Sequence, residues 1–176
     1  MSMKDITDKM NGDIDKDIRG RTIELFKAII LTTPVGNPDL WKINHQSAAY
    51  NRAVSDENYR LRQDPSNLTK AGRLKKGRKV NDSMDIKKPD GYVGGRARGN
   101  WQCSIGVPIP NEIDRIDGTG AGPIADVLAT VKAGEINYLS NNVPYIRRLE
   151  YERHSSQAPK GMVRIAIQRF GLGEST

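Results

Sequence analysis

The sequence has little of what most enzymes use for chemistry. Its 176 residues include one cysteine and two histidines, which excludes an intrachain disulfide and a zinc site of the usual Cys/His spacing. Cys103 falls on the apolar face of a predicted strand, where a small core residue is a better interpretation than a nucleophile. His154 precedes two serines but lacks the glycines of a nucleophile elbow. We therefore expect no catalytic residues, no metal site, no cofactor and no enzyme activity.

Long apolar runs are also missing. No stretch approaches the ~20 apolar residues that a membrane-spanning helix needs, and residues 1–20 are charged throughout, unlike a signal peptide. Hydrophobic residues make up 36% of the chain and aromatic residues 6%, which is lean for a self-sufficient globule. We expect a soluble protein made in a reducing cytosol. The protein either has an ordered core with polar segments extending from it, or it is a subunit whose core is completed by contacts with other subunits.

Positive charge is concentrated in one segment. Residues 1–42 carry seven basic and seven acidic side chains, residues 43–88 carry eleven and five, and residues 89–176 carry ten and nine. The net charge of +7 therefore lies almost entirely in the middle segment. Such a block is a candidate contact for nucleic acid or for an acidic protein face, or it is a solvated loop.

The densest part of this basic segment is 70–79, which has six cations in ten residues and one large apolar side chain. A segment of this composition buries too little apolar surface to fold alone. We predict a short helix near 46–62 and, after it, an extended arm or loop that is ordered only against a partner. The candidate DNA or partner contacts are Lys70, Arg73, Lys75, Lys76, Arg78 and Lys79.

The rest of the chain is predicted to be a mixture of helices and short strands. Apolar residues spaced by three and four predict a helix over 4–31, whose firm part is 13–31 because Gly12 and Gly20 weaken it. Pro34 stops the helix, and its apolar stripe, with Ile14 and Ile18 at the start, needs a covering element. Further patterns predict helices over 123–132 and 145–153 and a strand over 135–141. Residues 162–170 fit either a strand or a helix, and the helix is favoured because Pro159 and Gly161 can start it and the apolar stripe extends to Phe170. In the 145–153 helix, Arg147, Arg148, Glu150, Glu152 and Arg153 are expected to face mostly outward.

The centre of the pattern is a glycine-rich turn that leads into a strand, over 91–106. Trp101, Cys103 and Ile105 are expected on one face of this strand, with Gln102 and Ser104 on the other. Farther on, the Gly-x-Gly-x-Gly run at 118–122 is a weak phosphate-cradle signal, and a flexible connection is the favoured interpretation.

Four separated motifs, in order, resemble a family of tailed-bacteriophage neck proteins. They are Thr-Pro-Val-Gly-Asn-Pro-Asp-Leu-Trp at 33–41, Gly-Tyr-Val-Gly-Gly-Arg-Ala-Arg-Gly-Asn-Trp-Gln at 91–102, Asn-Asn-Val-Pro-Tyr at 141–145 with Leu-Glu-Tyr at 149–151, and Gln-Ala-Pro-Lys-Gly-Met-Val-Arg at 157–164. The family comprises small tail-completion or minor tail proteins of the head–tail junction. In it the first motif runs almost directly into the second, so residues 43–88 look like an insertion.

The resemblance implies an α+β fold: a long N-terminal helix packed on a small antiparallel β-sheet with short helices, plus the inserted polar basic arm. Residues 1–42 and 89–176 would form one domain and 43–88 the arm. It also implies a ring, most simply a hexamer, around the DNA channel of the virion neck or upper tail. Its partners would be the head–tail connector or stopper, the tail terminator and the tail tube, with no membrane contact and no catalysis.

Closed rings use two different patches of each subunit. Trp101 is the expected core anchor. The candidate interface residues are Arg96, Arg98, Tyr145, Arg147, Arg148, Glu150, Glu152 and Arg153. Two other interpretations stay open: a tail-terminator ring protein, and a DNA-binding module that acts through residues 70–79 in non-specific contact with genomic DNA.

Overall fold

A computed structural model of the chain describes residues 2–172 and confirms the α+β class. The helices are α1 (Met3–Thr32), α2 (His45–Arg62), α3 (Arg96–Gly99), α4 (Ala121–Thr130), α5 (Ile146–Tyr151) and α6 (Val163–Gly171). The strands β1 (Gln102–Ile105) and β2 (Asn137–Ser140) form a two-stranded antiparallel sheet in which Cys103 lies opposite Leu139. None of the helices in the described part of the chain is long and apolar enough to cross a membrane.

The chain divides into two compact units. Residues 1–36 and 93–176 make the first, and residues 37–92 make the second. The second unit therefore starts and ends a few residues outside the 43–88 segment marked by the charge pattern.

Helix α1 begins at Met3, one residue before the start of the helix predicted over 4–31. Ser2 and Asp5 form a capping box: Ser2 Oγ accepts from the Asp5 N–H at 3.2 Å, and the Asp5 carboxylate accepts from the Ser2 N–H at 2.7 Å. These bonds satisfy backbone donors that a helix start leaves unpaired. Gly12 and Gly20 do not interrupt the helix, so the expectation that only 13–31 is firmly helical is corrected.

The first unit has two buried clusters. The larger joins the C-terminal half of α1 to Trp101, α4 and α6, with Ile30 and Val127 completely buried. The smaller joins α3 to the 143–162 region around Met162, which is also completely buried. Removing this apolar surface from water is the main favourable term in the folding of the unit.

The central stretch differs from its predicted form in two details. Residues 96–99 make one turn of helix, and β1 begins at Gln102 after Trp101. Gln102, which was expected on the face opposite Trp101, is 8% exposed, and its Nε2 donates to the Asn111 carbonyl at 2.7 Å. The side-chain bond offsets the cost of burying the amide.

The second unit is built on α2 and has its own internal order. Residues 42–44 and 65–67 make single 3-10 turns before and after this helix. Trp41 stacks edge-on against Tyr92, with 5.0 Å between the ring centroids. The expectation that this segment is ordered only against a partner is therefore corrected, because the structure orders it through contacts within the segment.

Candidate functional site

The end of α1 is where the first two resemblance motifs meet. Trp101 is 5% exposed and its indole N–H donates to Thr33 Oγ1 at 2.7 Å. The Arg98 guanidinium donates to the carbonyls of Leu31, Thr33 and Gly118 at 2.7–3.0 Å. A cation bonded to the last carbonyls of a helix satisfies acceptors that the helix leaves open and complements its dipole.

Arg98 was expected as an interface residue. Its guanidinium instead reaches back onto its own subunit, and the side chain is half-buried. Burial lowers the pKa of Arg98 from its ordinary value, and Asp117 opposes that shift. Its observed contacts cap α1 and hold the Gly118 loop.

The paired glycines of the second motif allow backbones to touch. A Cβ on Gly94 would collide with the Gly36 carbonyl oxygen, and Gly95 has φ of 117° and a Cβ there would lie 2.4 Å from the Gly118 nitrogen. Only glycine combines that conformation with that approach at low cost. Beside this contact, Gln157 of the fourth motif pairs with Val35 through both backbone groups, at 3.3 and 2.7 Å.

Glu150 is buried, which corrects the prediction that it faces outward as an interface residue. It is 6% exposed, and its carboxylate accepts from the backbone N–H groups of Met162, Val163 and Arg164 at 2.6–3.1 Å. The Arg164 guanidinium donates to the same carboxylate at 3.1 Å. Glu150 thus caps α6 from another element.

The electrostatics of Glu150 follow from this geometry. Burial alone would raise the pKa of the carboxyl, but the three backbone donors and Arg164 outweigh it and hold the pKa below its usual value. Gly161 has φ of 85°, and a Cβ there would meet the Glu150 carbonyl oxygen at 2.6 Å. The Leu-Glu-Tyr and Gly-Met-Val-Arg motifs therefore form one capping device.

The other candidate interface residues lie on or near the surface. Arg96 pairs with Glu112 at 3.2 Å and Arg148 pairs with Glu152 at 3.3 Å, while Tyr145 is half-buried. Arg147 and Arg153 are exposed, and Arg153 has φ of 52°. Exposed ion pairs of this kind contribute little to stability.

The 70–79 segment is a looped surface turn that presents its cations to solvent. Leu68 and Leu74 form an antiparallel bridge, and the Lys75 ammonium donates to the Ser66 carbonyl at 2.8 Å. The other five side chains extend from exposed positions: Lys70, Arg73, Lys76, Arg78 and Lys79.

Three asparagines on α2 and just before it order the return segment of the second unit. Asn44, Asn51 and Asn58 are seven residues apart and share one helix face. Each amide forms a two-bond pair with the backbone of one residue in the extended 80–87 segment, at 2.7–2.9 Å: Lys87, Met84 and Val80 respectively. We call these three residues the asparagine ladder. The seven-residue spacing of these asparagines can be seen in the sequence. The charge distribution, on which the prediction for this segment was based, gives no sign of it.

The Gly-x-Gly-x-Gly run forms the start of α4, not a flexible connection. The Asp117 carboxylate accepts from the N–H groups of Thr119, Gly120 and Gly122 at 2.8–2.9 Å and from the Thr119 hydroxyl at 2.6 Å. The hydroxyl bond, followed by the backbone bonds, lowers the pKa of Asp117 to about 2. The Asp117 carboxylate thus accepts hydrogen bonds from the N–H groups that would bind a phosphate in a phosphate cradle.

The N-terminal half of α1 carries an apolar stripe that its own chain leaves exposed. Its members are 42–83% exposed: Met3, Ile6, Met10, Ile14 and Ile18. We call them the α1 stripe. The periodicity predicts a covering element for Ile14 and Ile18, but the core contacts of α1 begin at Ile23. Exposed apolar residues at this spacing share one helix face and form a candidate interaction surface.

Within residues 2–172, no group of three or more His, Cys, Asp or Glu side chains is placed to hold a metal ion. Cys103 is half-buried, and burial raises the pKa of its thiol. Comparisons with protein-family models, with curated proteins and with solved structures find no match to this chain.

Proposed function

We propose that this chain is a structural protein of a tailed-bacteriophage virion: a ring-forming neck subunit of the tail-completion type. It joins the head connector to the tail around the DNA channel and performs no catalysis. The observation that carries the proposal is the α1 stripe, because a long helix with exposed apolar residues along one face is built to pack against another chain.

The resemblance motifs support the proposal through their contacts. Thr33 bonds Trp101, Val35 bonds Gln157, and Glu150 bonds residues 162–164. In addition, Asn141 Nδ2 donates to the Ala97 carbonyl at 2.7 Å. Motifs that are far apart in the sequence therefore contact one another in the fold. Such contacts are expected if the motifs together define the fold of a family.

The proposed ring is a hexamer whose neighbours are the connector or stopper, the terminator and the tail tube. A tail-terminator position in the same neck is the closest alternative. In either position, two different patches of each subunit meet the next subunit, as closed rings require.

The test is the state of assembly of the purified full chain. Sedimentation velocity and electron microscopy should show a closed ring, and a hexamer of this 19.6-kDa chain would have a mass of about 118 kDa. Images of purified particle necks should then place the ring at the head–tail junction. A chain that stays monomeric at its highest soluble concentration, and that does not join tail tubes or connectors, would contradict the proposal.

A second candidate function is non-specific DNA binding through the 70–79 loop. It is favoured by the exposure of the loop's cations. A plot of log K for DNA binding against the logarithm of salt concentration has a negative slope. Each cation that no longer neutralises a phosphate should make this slope shallower by about 0.7–0.9. Changing Lys70, Lys76 and Lys79 to Gln should therefore flatten the slope by roughly 2–3.

The matched control changes Lys4, Lys9 and Lys16 to Gln, which removes the same charge from exposed positions of α1. Equal loss of DNA affinity in both variants would mean that the net charge of the protein determines DNA binding and that the 70–79 loop has no specific role. DNA binding and ring formation are compatible if the loop faces the channel.

A further inference from the structure

The two ends of α1 carry different surfaces. The α1 stripe occupies the N-terminal half, with members at i, i+3, i+7, i+11 and i+15 from Met3. This is the spacing with which an amphipathic helix lays its side chains into a groove on a partner. The stripe therefore has the pattern that the helix of a helix-in-groove contact needs.

An open groove of about 400 Å³ lies at the opposite end of the helix. Thr32 at the end of α1, the 157–161 loop and one face of α6 enclose it. Aliphatic groups form part of its lining: Ala158, Pro159, Ile165 and Leu172. Leu172 is 67% exposed, so the groove offers apolar surface that its own subunit leaves in water.

A subunit cannot fill its own groove with its own stripe. Ile18, the nearest stripe residue, is fourteen residues from Thr32, which is about 21 Å along a helix that rises 1.5 Å per residue. Met3 is about 44 Å away by the same measure. Because α1 is one continuous helix, any α1 stripe that entered the groove would have to come from another molecule.

Charge favours a second copy as that molecule. Lys160 and Arg169 line the groove, and no Asp or Glu is among its described lining residues. Residues 3–18 of α1 carry five Asp and three Lys, a net charge of −2. Opposite charge on two apolar surfaces sets both the choice of partner and the orientation of docking.

We propose that the N-terminal half of α1 docks into the groove of a second copy of this chain. The stripe and the groove are different patches at opposite ends of one helix, so the contact is heterologous and each copy has one donor and one acceptor. Contacts of this kind close into rings when the rotation permits. The inference rests on the proposed ring and names the surfaces that build it.

Two double variants of the full chain separate donor from acceptor. Met10→Asp with Ile14→Asp disables the stripe, and Leu172→Asp with Arg169→Glu disables the groove. All four side chains are exposed, so the folded subunit should tolerate the changes. Val107→Asp, at a 70% exposed position outside both surfaces, is the matched control and should assemble like the wild type.

Sedimentation velocity should show each double variant alone with self-association at least about thirtyfold weaker than wild type, the size of effect expected when one interface hot spot is removed. An equimolar mixture should form a 1:1 dimer that grows no further. In that dimer, the intact stripe of the groove variant occupies the intact groove of the stripe variant, and the remaining surfaces are both disabled.

The possible outcomes distinguish this inference from the proposed function. If the groove variant assembles like the wild type, the stripe packs against something other than the groove, and the inference is overturned. If both variants form normal rings, the inference fails while the neck ring stands. A mixture that stays monomeric overturns the inference, and a wild-type chain that never self-associates overturns both.

Discussion

The two units of this chain reach order by different means. The first unit has apolar clusters in which Ile30, Val127 and Met162 are fully shielded from water. The second unit has no large apolar side chain among its buried residues; those described as buried are Asn44 and Asn67. Its backbone is held by side-chain amides, chiefly the asparagine ladder, so low hydrophobicity in a segment does not by itself make the segment disordered.

The aromatic residues give the largest expected contrast between the units. Trp101→Ala should destabilise the protein by about 3–5 kcal/mol, because it removes a buried indole from the larger apolar cluster and leaves Thr33 Oγ1 without its donor. Trp41→Ala in the second unit should cost less, because Trp41 is half-buried and its main ring contact is the edge of Tyr92. Urea unfolding measures the loss of stability in both variants. Equal losses would mean that the two aromatic residues do not differ in their contribution to stability.

The cap of α6 tests how far the first unit also depends on polar anchoring. Glu150→Ala should cost about 2–3 kcal/mol, because it leaves donors of Met162 and Val163 without partners in a buried place. Glu152→Ala, two residues away on the exposed ion pair with Arg148, should change stability by less than about 0.5 kcal/mol. Similar values for the two variants would mean that water replaces the Glu150 carboxylate at the cap.

The sequence predicted the periodic parts of the fold well. Helix α2 and the helices near 123–132, 145–153 and 162–170 were expected from apolar spacing, and the structure contains each with shifted ends. These patterns are local, so they can be read from neighbouring residues. The start of α1 agrees with the predicted helix to within one residue, but its two glycines favoured a weak first half, whereas the capping box at Ser2 and Asp5 stabilises that end.

Contacts between distant residues were not predictable from such patterns. Glu150 looks like one more charge on a mixed-sign helix, and only the fold brings residues 162–164 to its carboxylate. Arg98 likewise looks like a surface cation until the end of α1 is placed beside it. The asparagine ladder did leave a local trace, the heptad spacing, but the residues it holds lie 22–43 positions away.

The asparagine ladder gives the corresponding polar test in the second unit. Asn51→Ala should lower local stability by about 1–2 kcal/mol, since two hydrogen bonds to Met84 are removed at an exposed site. Hydrogen exchange at the Met84 amide should accelerate by roughly tenfold or more. Asn81→Ala, at an exposed residue of the same segment outside the ladder, is the control; matching exchange in both variants would show that the ladder does not order the segment.

Acid should produce the smallest effect, and in the first unit it acts on two capping carboxylates. The folded chain holds the pKa of Asp117 at about 2, through its bond from Thr119 and then its backbone bonds, and holds the pKa of Glu150 below its usual value. A carboxyl whose pKa is lowered by folding contributes stability that is complete above its unfolded pKa near 4 and is lost as the pH falls through the folded value.

Stability measured by urea unfolding should therefore decline from about pH 5 to about pH 2. Asp117→Asn should flatten that decline because asparagine does not titrate, and an unchanged pH profile in this variant would mean that the capping carboxylate of α4 has no part in acid sensitivity.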